Sequence, residues 1–441
     1  MKKETKNPLQ KIKSGRLTRT LDFVSMIASS GQKALSYKIQ SKMTNISKET
    51  LAIELLKKQI YIITEKFGNL KGGLMKVGQM LSVYGEYFLP ADVNVILKNL
   101  QAQSTPFEWA ILKKVLSDRI GVSALEELEI DPVATASASL GQVHKAKIKS
   151  TGEVIALKIQ YPDVDKAVKN DLKALKSILK VADLFPQISH LDLLFDEVQS
   201  MLYQELDYLN EMKWTNQFRQ ALQGDSRYIV PKTYPDYTNT KVIATSFETG
   251  VNVDSPEVLG LSQERRNQIA LAALDLYFKE LFQLGFVQTD PHIGNYKIQL
   301  NAQQDKIILF DFGAVREFSD DFLTNYRGLI KSALNKDYKG LEEFSLKLKF
   351  TEKNDPQKLK DSFYQFCNLM VEPFTQDVYD WGNTDLPKRL TKMVAEVIME
   401  FKVRTPPREV VFLDRKTTGV FIFLSILKAK ISARDLLEKY L

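Results

Sequence analysis

Apolar residues recur at helical spacing through the first quarter of the chain. Between positions 48 and 68 they fall at Leu51, Ile53, Leu55, Leu56, Ile60 and Ile63, which predicts a helix. Residues 8–30 carry a looser version of the pattern, with basic residues between the apolar ones. A further helix is predicted from Gly73 to about Tyr87, stopped by Pro90, and another from Pro106 and Phe107 to about Arg119. The period then shortens. Residues 142–148 and 153–159 read as two strands, and Lys149-Ser150-Thr151-Gly152 between them reads as a hairpin turn. Residues 163–183 and 191–222 read as helices, and 229–230 and 241–245 as strands. From Gln263 onward the pattern is helical except for one hairpin, 296–300 and 306–310 around a polar turn. Helices, a small antiparallel sheet with a helix pair, then a helical half holding one hairpin predict an α+β fold of two lobes.

Composition narrows the chemistry. The chain has 441 residues, 44% hydrophobic and 26% charged, which allows two or three globular domains. Its one cysteine, Cys367, excludes an internal disulfide framework, and three histidines (His144, His190, His292) leave too few ligands for a His/Cys zinc site. A metal is therefore expected on oxygen ligands, which favours magnesium. No apolar run is long enough to cross a bilayer; the stretch around 420–424 is interrupted by Ser425 and ends at Lys428. The net charge of +7 is uneven: residues 1–50 sum to +8 and the remaining 391 to −1. A basic arm thus precedes a near-neutral body with no basic stripe, so nucleic acid is not an expected partner. Glu4 and the scarcity of arginine argue against reading that arm as an organelle presequence.

The candidate chemistry brackets the second hairpin. Asp290 and Asn295 stand five apart before it, in Gln288-Thr289-Asp290-Pro291-His292-Ile293-Gly294-Asn295, and Asp311-Phe312-Gly313 follows it. Phosphoryl transfer needs a carboxylate to orient the accepting hydroxyl or water, and an Asn and a second Asp to hold metal ions on the phosphates. Protein kinases place these groups at this spacing, with a strand hairpin between. Asp-Phe-Gly alone is weak evidence; the spacing and the hairpin make it specific. The first hairpin matches the other half of a kinase site. Ala136-Ser137-Ala138-Ser139-Leu140-Gly141-Gln142-Val143 keeps the spacing of a glycine-rich phosphate loop with alanine at its first two glycine positions. Ala156-Leu157-Lys158 then supplies a strand lysine whose charge would meet the α- and β-phosphates. Alone, Lys158 reads equally well as a solvated strand lysine. Alanine adds a methyl group and disfavours positive φ, so this loop should be stiffer than a glycine loop. His292 suits a hydrogen-bonding role better than proton transfer.

With these motifs the chain resembles the UbiB/AarF-domain family of atypical kinases. The resemblance rests also on Lys76-Val77-Gly78-Gln79 and on Glu205-Leu206-Asp207-Tyr208 followed by Glu211, and runs from about residue 50 to the C-terminus. It implies a kinase-like two-lobed fold with a helical N-terminal extension across the active site. It further implies that Lys158 pairs with Glu211, that Asn295 and Asp311 bind Mg2+, and that Asp290 is the catalytic carboxylate. The ATP/ADP contacts would come from Ala136, Ala138, Gly141, Val143 and Lys158. Lys76 and Gln79, on the extension, would meet Glu205 and Asp207. The bland reading of Glu205, Asp207 and Glu211 is a solvated helix face, on which 207 and 211 align and 205 does not. Two departures stand out: Ile293 where the family often has proline, and Ser246 in place of an acidic hinge residue.

The expected organisation is a basic, membrane-adsorbing arm over 1–45, a helical extension over 46–120, a kinase-like N-lobe over 121–250 and a C-lobe over 251–441. The expected function is magnesium-dependent phosphoryl transfer or ATP hydrolysis. The resemblance ties it to ubiquinone or other isoprenoid-lipid metabolism, with lipid or lipid-pathway enzymes and an anionic membrane surface as partners. The expected location is cytoplasmic, peripheral to the inner face of a membrane. A nucleotide-gated scaffold or lipid-binding protein without turnover is the alternative; it would be free to lose residues that are all present here.

Overall fold

The computed structural model describes residues 107–137, 140–181, 188–386, 388–390, 392–393 and 408–441. The basic arm, Lys76, Gln79 and Ala138 lie outside them, as does nearly all of the expected extension. The chain divides into two compact units, one reaching to Lys213 and taking in Thr233–Phe247, the other made of Trp214–Lys232 and Glu248–Leu441.

The first unit is built on four strands. Helix α1 (Trp109–Ile120) precedes β1 (Leu128–Ser137), β2 (Gly141–Ile148) and β3 (Val154–Gln160). Helices α2 (Val164–Val181), α3 (Ile188–Glu205) and α4 (Tyr208–Ala221) follow, and the boundary between the units falls inside α4. After β4 (Tyr228–Ile229), which belongs to the second unit, β5 (Val242–Ser246) completes an antiparallel sheet of order β1-β2-β3-β5. Period-two burial explains β2 and β3. His144, Ala146 and Ile148 point inward between exposed Lys145 and Lys147, and Ile155, Leu157 and Ile159 are fully buried. Leu112 and Leu116, four apart on α1, close the same core, and burying each contributes about 1.5–3 kcal/mol. Gly152 takes φ +75° in the β2–β3 turn, a conformation glycine adopts without strain.

Two sequence expectations change here. Ala136 and Ser137 belong to β1 and pair with Val143 and Gln142, where the sequence suggested a loop. The periodicity of β1 is masked by register shifts at Ala134 and by a largely exposed burial pattern. The single helix expected over 191–222 is two helices. The chain breaks at Leu206 and Asp207, where the Asp207 carboxylate accepts from the Leu209 N–H at 3.1 Å and caps α4.

The second unit holds a four-stranded sheet of order β4-β9-β8-β6, with β6 at Val251–Asn252, β8 at Tyr296–Gln299 and β9 at Lys306–Leu309. The pair β8–β9 is the expected second hairpin. Beside it β7 (Phe286–Gln288) pairs with β10 (Val315–Glu317), strands too short to show a period in the sequence. Helix α5 (Gln263–Phe278) runs into a π-helical turn, Lys279–Leu284, which Gly285 ends at φ +72°. Helices α6 (Asp320–Leu334), α7 (Tyr338–Lys347), α8 (Gln357–Val371) and α9 (Arg408–Ile426) complete the main elements. The apolar stretch near Phe421 is core: Phe421, Phe423 and Leu424 are buried, and within it only Ile422 is markedly exposed. Among the described residues no helix is long and apolar enough to cross a membrane.

Candidate active site

Lys158 sits in the middle of the first unit's sheet, opposite Val143 on β2 and Ile243 on β5. Its ammonium donates to both carboxylate oxygens of Glu211 at 2.9 Å and lies 5.1 Å from the centre of the Tyr208 ring. Glu211 is one turn into α4, which the Asp207 cap starts. The helix break therefore decides where Glu211 points. Glu205 ends α3 and does not share a helix with Glu211, so the three carboxylates do not form one face. Gly141 opens β2 against β3, where an added Cβ would collide with the Ile159 carbonyl oxygen. Glycine is thus required there by strand packing, whatever else it does. On β2 His144 is buried: its Nδ1 lies 2.8 Å from the Asp131 carbonyl and its Nε2 2.8 Å from the Gln142 amide nitrogen. Gln142 in turn accepts from the Phe107 N–H through Oε1. The imidazole is therefore the neutral Nδ1–H tautomer, and burial lowers its pKa from the ordinary 6.5.

In the second unit Asp290, Asn295 and Asp311 are gathered by shared hydrogen bonds. Asn295 Nδ2 donates to the Asp290 carbonyl at 2.9 Å. Gln288 Nε2 donates to the same carbonyl at 2.8 Å and to the Asp311 carbonyl at 3.1 Å. Thr289 donates its N–H and its hydroxyl to the Ala314 carbonyl, pinning the loop to the segment after Asp311. Asp311 holds φ +58°, a left-handed conformation uncommon outside glycine but tolerated by aspartate; its carboxylate accepts from the Gly313 N–H. Phe312 is buried with its ring 4.7 Å from that of Phe218. His292 Nδ1 accepts from the Gly294 N–H and so shapes the turn Ile293–Asn295.

The donor set suits a hard cation. Asn295 turns its amide nitrogen to Asp290, which leaves Oδ1 as its acceptor end, and Asp311 brings a carboxylate. Among the described residues no cluster of three or more His, Cys, Asp or Glu forms a closed metal cage. A magnesium ion would then complete its shell with phosphate and water oxygens, its usual habit.

Sequence reasoning missed three residues. Arg415 on α9 donates to Asp290 Oδ1 at 2.6 Å. Lys416 beside it makes a buried ion pair with Glu280 at 3.0 Å, and Glu280 Oε2 accepts from the Gln288 N–H at 3.1 Å. Burial alone would lower the pKa of Lys416; the Glu280 carboxylate more than offsets this and raises it. Partners 125 residues apart for Arg415 and Asp290, and 136 for Lys416 and Glu280, leave no local signal. The one available hint was Glu280 and Lys416 sitting among apolar neighbours on their helices.

Three comparisons bear on these features. Residues 99–345 match the model of the ABC1 atypical kinase-like domain. The chain is 29% identical over 435 residues to the protein described as atypical kinase COQ8, mitochondrial, of Saccharomyces cerevisiae, covering 97% of this chain and 85% of that one. It is 32% identical over 371 residues to atypical kinase COQ8B, mitochondrial, of Danio rerio, covering 83% and 58%. Among solved structures it is similar to Rv3197 from Mycobacterium tuberculosis, determined as an erythromycin complex, with a TM-score of 0.60 and 27% identity over 90% of this chain and 98% of that one.

Proposed function

The chain belongs to the ABC1 atypical kinase-like family and has its kinase-like fold, and from that premise we propose that it binds ATP or ADP with magnesium and transfers or hydrolyses the terminal phosphoryl group. The observation that carries the reading is Lys158, held at 2.9 Å from both oxygens of Glu211. That bidentate contact keeps a cation fixed on a rigid strand, where it can meet phosphate oxygens without first paying for its own ordering. Asp311 and Asn295 would hold magnesium, which neutralises charge on the phosphates. Asp290 would orient the accepting hydroxyl or water, with its carbonyl fixed by Asn295 and Gln288 and its carboxylate steadied by Arg415. We assign the pathway as ubiquinone or another isoprenoid lipid, on the strength of the COQ8 relatives, and the place of action as an anionic membrane surface reached through the basic arm of residues 1–45.

Asp311→Asn tests the metal assignment. It removes an anionic ligand from a hard cation, so the thermal shift produced by ATP should lose its magnesium dependence. A full magnesium-dependent shift in the variant would sink the assignment. A nucleotide-gated scaffold without turnover is the second reading. The Arg415 contact favours it to this extent, that a carboxylate already accepting from a guanidinium is a weaker base. Phosphate release by the wild type that Asp290→Asn abolishes would decide for the enzyme.

A further inference from the structure

The second unit contains a buried ionic pair, Glu280 and Lys416, that hydrogen-bonds to neither the Asp290 nor the Asp311 carboxylate. Glu280 and Lys416 are each 2% exposed, 3.0 Å apart, and Lys416 also reaches the Tyr296 hydroxyl at 3.4 Å. A buried pair of this kind contributes little stability compared with apolar residues of the same volume, because desolvation offsets the attraction. Its use has to be sought elsewhere, and the other end of Glu280 shows one. The π-helical turn Lys279–Leu284 carries Glu280 toward β7, where Oε2 accepts from the Gln288 N–H. Gln288, itself 4% exposed, then spends its side-chain amide on two carbonyls, those of Asp290 and Asp311. Both partners are acceptors, so the amide nitrogen faces them. One side chain thus spans the loop of Asp290 and the start of Asp311-Phe312-Gly313, and its backbone is anchored by Glu280. Gly419, one turn beyond Lys416, lets Pro291 sit against α9 where a Cβ would collide with the proline ring.

We propose that Glu280 and Lys416 are positioning residues: through the Gln288 N–H they set the separation of Asp290 and Asp311, and so the affinity for the divalent cation of the nucleotide complex. The inference rests on the reading of Asp311 as a magnesium ligand. Lys416 orients Glu280 through the 3.0 Å ion pair; Glu280 supplies the acceptor; Gln288 transmits the register to both carbonyls. Gln288 is the partner one step removed from Asp311, and loss of a partner at that remove commonly changes metal affinity by about 10- to 100-fold; Glu280 and Lys416 act through it.

Two double variants separate positioning from mere stability. Glu280→Leu with Lys416→Met removes both charges and the acceptor. Glu280→Gln with Lys416→Met removes both charges but keeps an acceptor oxygen for the Gln288 N–H. Each would be followed by thermal shift, alone and with ATP over a magnesium titration. The Leu/Met variant should need about tenfold more magnesium for half the ATP-dependent shift, while the Gln/Met variant should stay near the wild-type requirement. Equal magnesium requirements in both doubles, raised or not, would overturn the proposal. Should the Leu/Met variant not fold, Gln288→Met replaces it; a wild-type magnesium requirement there overturns the proposal too. A wild-type protein with no magnesium response removes the underlying reading and this inference together. A normal wild-type response with insensitive variants removes only the inference.

Discussion

Arg415 and Asp290 show how much of this site is decided by single contacts. The 2.6 Å bond between them is charge-assisted and mostly shielded from water, a setting in which such a bond contributes about 1.5–3 kcal/mol. If Asp290 orients the reacting oxygen, losing Arg415 removes one of the contacts that hold its carboxylate. Arg415→Met should then lower the rate of phosphate release by roughly tenfold, about 1.4 kcal/mol of barrier, with nucleotide affinity unchanged in a thermal-shift titration. Equal rates would mean the arginine only fills space. Asp290, Asn295, Asp311 and Lys158 were legible in the sequence because their spacing is local and their residue types are chemically constrained. Arg415, Lys416 and Glu280 were not, because their pairing is made by tertiary packing of α9 on α5 and nothing near them in the chain records it. Gln288 was visible as part of a motif, but its role needed the two carbonyls it spans.

At the scale of elements, the hairpin 296–310 and the strands flanking Lys149–Gly152 followed from alternation and turn chemistry. Strand β1 did not, because its register shifts leave no clean period, and the break before α4 did not, because one capping aspartate interrupts an otherwise continuous helical pattern. The β1–β2 pair also carries a titratable element. His144 is neutral in the fold, held by the Asp131 carbonyl and the Gln142 amide, with the Asp131 charge acting on it more weakly than burial does. Burial holds its pKa below 6.5, so the unfolded chain binds that proton more readily. Its share of stability is complete above 6.5 and is lost as pH falls through that value toward the folded pKa. Thermal melts from pH 7 to 5 should show a steeper acid loss in wild type than in His144→Gln, which has no proton to take up. Parallel slopes would remove His144 as the cause.

On the scale of the whole molecule, the charge of +8 within the first 50 residues contrasts with −1 over the rest. Such an arm adsorbs to anionic bilayers at roughly 1 kcal/mol per nearby basic residue. Deleting residues 1–45 should therefore reduce co-sedimentation with phosphatidylserine vesicles while leaving the ATP-dependent thermal shift intact, and salt should weaken the intact protein's binding. Undiminished sedimentation of the truncated protein would place membrane contact elsewhere, and not at Phe421, which is buried. The family match stops at residue 345, yet α9 supplies the partners of Asp290 and Glu280 from beyond it. That arrangement has a consequence for biosynthesis. Arg415 follows Asp290 by 125 residues, so at about 5–20 residues per second the growing chain spends roughly 6 to 25 seconds with its loop made and its clamp not yet translated. A ribosome stalled in that interval holds a polypeptide with every kinase motif in place and two carboxylates awaiting their cations, and a stop codon there would leave it so permanently.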